Sequence, residues 1–143
     1  MEFDQYDPDL ASLITTNPAG GGGLPDYLGI RTTDIGLGTM TAEITIRPEL
    51  LNAFGTVHGG VLAALTDHVL GAILYPVIPE GSWAATTQLH LNFTAPIKNG
   101  TLTPRAARSS RSPSAPPSCA ATSTTATGLA GAAQGTVTVT QPR

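Results

Sequence analysis

Apolar and polar positions change period twice along the chain, and the changes mark its elements. From Tyr27 to Arg47 the pattern reads as two strands around a glycine-bearing turn near Gly36 and Gly38. In the second, Met40, Ala42, Ile44 and Ile46 alternate with Thr41, Glu43, Thr45 and Arg47, the period of a half-buried strand that Pro48 ends. Within Asn52 to Leu74 the spacing becomes helical. Leu62, Leu65, Val69 and Ile73 form one stripe, and Val61, Ala63, Ala64, Leu70 and Ala72 make the other faces apolar or small. A helix hydrophobic nearly all round is enclosed on most sides. Alternation returns over residues 84–95, with Thr87, Leu89, Leu91 and Phe93 on one face and Gln88, His90 and Asn92 on the other. A further strand begins at Thr101, and Gly135 to Thr140 reads as the last. Several antiparallel strands with one buried helix predict an α+β domain, a curved sheet wrapped around that helix.

Residues 1–26 break this order. They are polar and turn-rich, and they end in the glycines Gly20 to Gly23, so they are expected to form a flexible segment ahead of a domain over 27–143. The glycine run lacks the preceding strand and following Lys-Ser/Thr of a phosphate loop. The second break is residues 104–127, which hold four prolines, six serines, six alanines, four threonines, three arginines and Cys119, with no Val, Leu, Ile, Met or aromatic residue. By composition this stretch is disordered. Yet it falls where the sheet must continue, and structureless inserts of such length are uncommon in compact domains. Read in a frame displaced by two bases, Ser109, Ser110, Ser112, Ser118, Cys119 and Ser123 become apolar, and Thr122, Thr125 and Thr127 can become acidic. An out-of-frame stretch between compensating shifts is one expectation, and a natural low-complexity loop is the other.

At 143 residues the chain is one domain. All ten acidic residues lie in the first 80 positions, and five of the seven basic ones follow them. Lys98 is the only lysine, so no basic stripe exists for a nucleic-acid backbone. A single cysteine closes no internal disulfide, and the acidic start MEFDQYDPD lacks the features of an export signal. A cytoplasmic setting is expected. Asp67 and His68 interrupt the most apolar stretch, which argues against a membrane span. Neither HExxH nor paired-cysteine spacing is present, so no metal and no cofactor are expected, and Ser-His-Asp chemistry finds no GxSxG elbow.

Candidate chemistry clusters at the helix. Gly59 and Gly60 stand at its start, where amides lack partners and the helix dipole is positive, a place for a developing oxyanion. Asp67 lies eight residues on, about 12 Å along the axis and roughly 80° around it. One carbonyl cannot touch both groups on the same helix. If they act together, Gly59 of one protomer meets Asp67 of another, and the assembly is at least a dimer. Enclosure in an apolar helix is expected to raise the pKa of Asp67 toward that of a neutral-pH base. It then activates water or attacks directly. The plainer readings are a buried Asp satisfied by partner donors, glycines that only permit close packing, and His58 as a hydrogen-bonding residue at the helix start.

The stretch NAFGTVHGGVLAALTD, with Asn52, Gly55, His58-Gly59-Gly60, Leu65 and Asp67, together with LHLNFTAPIKNG and AGAAQGTVTV, resembles the hotdog-fold acyl-CoA thioesterases of the phenylacetic-acid-degradation type. The resemblance covers residues 27–103 and 128–140. It implies a long helix inside an antiparallel sheet, active sites at a dimer interface, and a homodimer or a homotetramer built as a dimer of dimers. It also implies that Asn52 helps bind the thioester carbonyl, that Thr86 orients water, and that His58 and Gly60 belong to the substrate-binding turn. The departure is 104–127, where the family places two strands and part of its CoA-binding surface. Outside that stretch only Arg31, Arg47, Lys98 and Arg143 could meet CoA phosphates. The expected reaction is hydrolysis of a medium-chain or aromatic acyl-CoA. The rivals are an enoyl-CoA hydratase, a non-catalytic acyl-CoA-binding protein, and a chain inactivated by 104–127.

Overall fold

The computed structural model describes residues 6–17, 22–108 and 116–141. Two helices come first, α1 (Pro8–Thr16) and α2 (Gly23–Leu28), followed by the hairpin β1 (Arg31–Gly36) and β2 (Thr39–Thr45). A 3-10 turn at Pro48–Leu50 and a tight loop lead to α3 (Gly59–Ala72). After a second 3-10 turn at Tyr75–Val77 come β3 (Trp83–Phe93), β4 (Thr101–Arg108), β5 (Ser118–Thr125) and β6 (Gly128–Thr140). The strands form one antiparallel sheet in the order β1-β2-β4-β5-β6-β3. This is the α+β hotdog fold, a six-stranded sheet around a central helix.

The core lies between α3 and the sheet. Leu62, Leu65, Val69, Leu70 and Ile73 of the helix side are buried with Met40, Ala42, Ile44, Leu102 and Val137 of the strands. Each fully buried Leu or Ile contributes roughly 1.5–3 kcal/mol. Two glycines of β6 set how closely the helix approaches. A methyl on Gly131 would lie 3.0 Å from Leu62 Cδ2, and one on Gly135 would lie 2.9 Å from Leu70 Cδ1. The stretch Gly59–Val77 has the length and apolarity of a membrane span, and it is the core helix.

Three expectations need correction. Residues 8–16, taken as part of a flexible segment, form α1. Asp7 Oδ1 accepts from Asp9 N–H at 3.0 Å and from Leu10 N–H at 2.9 Å, and Pro8 occupies the first turn. Ala11 is buried, and the Asp7 amide donates to Pro76 O at 2.8 Å, which ties α1 to the end of the core helix. Composition made 104–127 disordered, but β4 continues to Arg108 and β5 pairs with both β4 and β6. Its inward positions Cys119, Ala121 and Ser123 are small but buried, and backbone pairing on both sides supplies what the side chains lack. The positions Gly20, Gly21, Ser109, Ser110 and Ser112 lie outside the described residues. Finally, the alternation on β3 is not continuous. A register shift between Thr86 and Gln88 places Thr86, not Thr87, with the helix-facing set.

Candidate active site

The loop before α3 is held by Asn52. Its Oδ1 accepts from Phe54 N–H at 2.9 Å and Thr56 N–H at 3.3 Å, and its Nδ2 donates to Thr56 Oγ1 at 2.9 Å. Gly55 takes a positive φ of 72°, which closes the turn. Val57 N–H then donates to Ile97 O at 2.7 Å, and His58 N–H to Leu50 O at 2.9 Å, so the chain enters the helix at a fixed angle. Asn52 is therefore a turn-building residue in this chain.

His58 caps the helix. Its Nδ1 accepts from Gly60 N–H at 2.9 Å, which assigns the ring proton of the neutral imidazole to Nε2. The Gly60 amide is thereby used, while the Gly59 amide has no hydrogen-bond partner among the described residues. Of the two glycines expected at the substrate, only Gly59 offers an open donor at the positive end of the helix. Its side lies against Phe93: a methyl on Gly59 would stand 3.2 Å from Phe93 Cζ. Val57, Gly59, Leu62, Phe93, Pro96 and Ile97 line a largely apolar cleft of about 340 Å³ at this end. Close packing and an open amide thus coexist at Gly59. The part played by Phe93 was hidden in the sequence, where it reads only as one apolar position of β3.

Asp67 lies two turns further along α3, outside this cleft, and it is exposed in the single chain. The expected enclosure does not come from its own protomer. The helix face that carries Asp67 is bordered by Gly60, Ala64 and Gly71, residues too small to wall off a carboxylate. Thr86 comes to the same region: its Oγ1 lies 3.8 Å from where a methyl on Gly71 would be, one turn beyond Asp67. Thr87 instead donates to Thr136 O at 3.2 Å. The structure thus gathers two groups at separate levels of α3, with His58, Gly59, Gly60 and Phe93 at its start and Asp67, Gly71 and Thr86 in its second half.

The remaining titratable groups fall outside both. His68 is half-buried, and its pKa is lowered by burial, an effect partly opposed by the neighbouring Asp67 carboxylate. His90 is exposed on β3, with Nε2 2.8 Å from Gln88 Nε2. Cys119 is buried, and burial pushes its thiol up to about 11 against the opposing charge of Arg108. No three His, Cys, Asp or Glu side chains come together among the described residues.

Residues 54–111 match the thioesterase superfamily, a span that includes His58, Gly59, Asp67 and Thr86. No curated protein sequence matches the chain. Among solved structures, a thioesterase from Haemophilus influenzae is similar over 94% of this chain and 90% of its own, with 20% identity and a TM-score of 0.79. A phenylacetic acid degradation-related protein from Ralstonia eutropha has 24% identity, coverage of 82% and 92%, and a TM-score of 0.74. A mutant thioesterase from Pseudomonas aeruginosa has 17% identity, coverage of 95% and 98%, and a TM-score of 0.78. These likenesses carry the fold. The fold is the hotdog fold, and the match over 54–111 supports a hydrolase acting on thioester bonds.

Proposed function

We propose that the chain is a cytoplasmic acyl-CoA thioesterase of the phenylacetic-acid-degradation type, acting as a homodimer or a homotetramer on medium-chain or aromatic acyl thioesters. The observation that carries this reading is the open Gly59 amide at the head of α3, with the exposed Asp67 carboxylate about 12 Å further along the same helix. In this reading the thioester carbonyl accepts from Gly59 N–H of one protomer, and Asp67 of the second protomer activates water on the opposite side. Water adds to the carbonyl carbon as Asp67 takes its proton. The C–S bond of the tetrahedral adduct then breaks, and the proton returns to the departing CoA thiolate. Thr86 Oγ1 orients the water. Asn52, His58 and Gly60 fix the turn that presents Gly59. No metal or redox cofactor is required.

The second protomer also answers the exposure of Asp67. β3 is an eleven-residue strand at the edge of the sheet, paired on one side only with β6. Its free side is a seam for another copy. A partner there shields Asp67 from solvent.

A thiol-release assay across a panel of acyl-CoAs tests the reading. Asp67→Asn and Asp67→Ala are each expected to lower kcat by roughly 10²- to 10⁴-fold while the fold is kept. Unchanged turnover in both variants removes Asp67 from the mechanism, and ligand binding without turnover in the unsubstituted chain favours an acyl-CoA-binding protein.

A further inference from the structure

A second apolar cavity lies on the other flank of α3, distant from Gly59. Its volume is about 380 Å³, within the range of small-molecule sites, and its walls include Leu10, Leu13 and Ile14 of α1, with His68 and Ala72 of α3 and the ring of Tyr75. His68 follows Asp67 on α3, so its side chain points about 100° further round the helix, and the cavity opens on the face next to the one that carries the carboxylate. Leu13 is 59% exposed, and apolar surface is left open at the rim.

α1 is a fixed wall. Asp7 caps its first turn, the Asp7 amide is bonded to Pro76 O, Tyr6 Oη donates to Ile35 O at 3.2 Å, and Ala11 is buried against the body of the protein. The cavity is therefore built by an ordered element. Its α1 wall is aliphatic, Asn17, Thr32, His68 and Tyr75 add polar groups elsewhere, and no lysine or arginine among the described residues lines it, so it suits a hydrocarbon chain and holds no cation for a phosphate.

We propose that this cavity receives the aliphatic acyl chain of the substrate, and that α1, through Leu10, Leu13 and Ile14, sets the longest chain accepted. The inference rests on the two-protomer site above. With the carbonyl held between Gly59 of one chain and Asp67 of the other, two apolar spaces flank it. One is the Phe93 cleft beside Gly59, and the other is the α1 cavity, one helix face round from Asp67. A thioester has two arms, and the α1 cavity takes the acyl arm while the cleft takes the arm leading to CoA. His68, kept neutral by burial, is compatible with hydrocarbon beside it.

Chain-length profiles of the full chain, measured by thiol release and by calorimetric binding of acyl-CoAs from butanoyl to dodecanoyl, test this. Leu13→Trp narrows the cavity from α1, and Ala72→Leu narrows it from α3. In each variant that keeps the parent's thermal transition, the ratio of kcat/KM for decanoyl-CoA to that for butanoyl-CoA is expected to fall at least about tenfold, with a parallel loss of decanoyl-CoA binding. Profiles that match the parent's in both variants overturn the proposal. If the parent binds decanoyl-CoA without turnover and both variants weaken that binding, the cavity assignment stands and the hydrolytic reading falls. If binding in the parent is independent of chain length, the cavity assignment falls whether or not turnover is seen.

Discussion

Gly59 and Gly60 are neighbours with opposite fates, and His58 decides between them. By taking the Gly60 amide it builds the cap, and it leaves the Gly59 amide as the donor facing the cleft. The motif was legible in the sequence, but the division of labour within it was not, because it depends on which ring nitrogen turns inward. Asp67 was likewise found by its position in an apolar helix, yet its exposure was not foreseen. Helical periodicity reports hydrophobic faces without saying whether its own chain or another covers them. His68, one position on, gives a pH prediction. Its folded-state pKa is lowered below 6.5, so the unfolded chain binds a proton that the folded chain resists. The stability this contributes is complete above that value and is lost as pH falls through the lowered one. Urea midpoints measured between about pH 7.5 and 5 are expected to decline on the acid side, and His68→Gln is expected to flatten the decline.

At the level of elements, the strands flanked by alternating apolar residues were readable, and those made of small polar ones were not. β5 is the instructive case. Its buried side carries Cys119, Ala121 and Ser123, too little hydrocarbon to be noticed as a strand, although its backbone is paired on both edges. Such a strand holds its place through its neighbours and contributes little packing of its own. Ser123, only 2% exposed, is expected to accept an apolar side chain with gain: Ser123→Val adds buried methyl surface and is expected to stabilise by about 1 kcal/mol, read as a higher Tm. That outcome accords with a displaced reading frame, in which this position becomes apolar. Verified coding DNA lacking paired shifts around 104–127 removes that origin and leaves the strand as it is. α1 escaped notice for a different reason. Glycine and proline content dominated the reading of residues 1–26, whereas Asp7 and Pro8 are a helix-start signal.

For the whole molecule, the decisive question is whether a site is shared. A site made of Gly59 from one chain and Asp67 from another can be rebuilt from two disabled chains. Gly59→Pro removes the N–H at a helix position where proline is tolerated, and Asp67→Asn removes the base. Each variant alone is expected to be nearly inactive. Statistical mixed dimers, formed by unfolding and refolding the two together, are expected to recover roughly a quarter of the parent activity, because half of the dimers carry one intact site of two. Mixtures no more active than the separate variants overturn the shared site.

The bare backbone of β6 at Gly131 and Gly135 has one more consequence. These residues act as the bearing on which α3 rests, and the helix carries the open Gly59 amide at its head and the Asp67 carboxylate in its second half. A side chain inserted there would work like a shim under a beam: it would tilt the axis and swing the head and the tail in opposite directions. The alignment of the amide and the carboxylate is thus gauged from the strand beneath them.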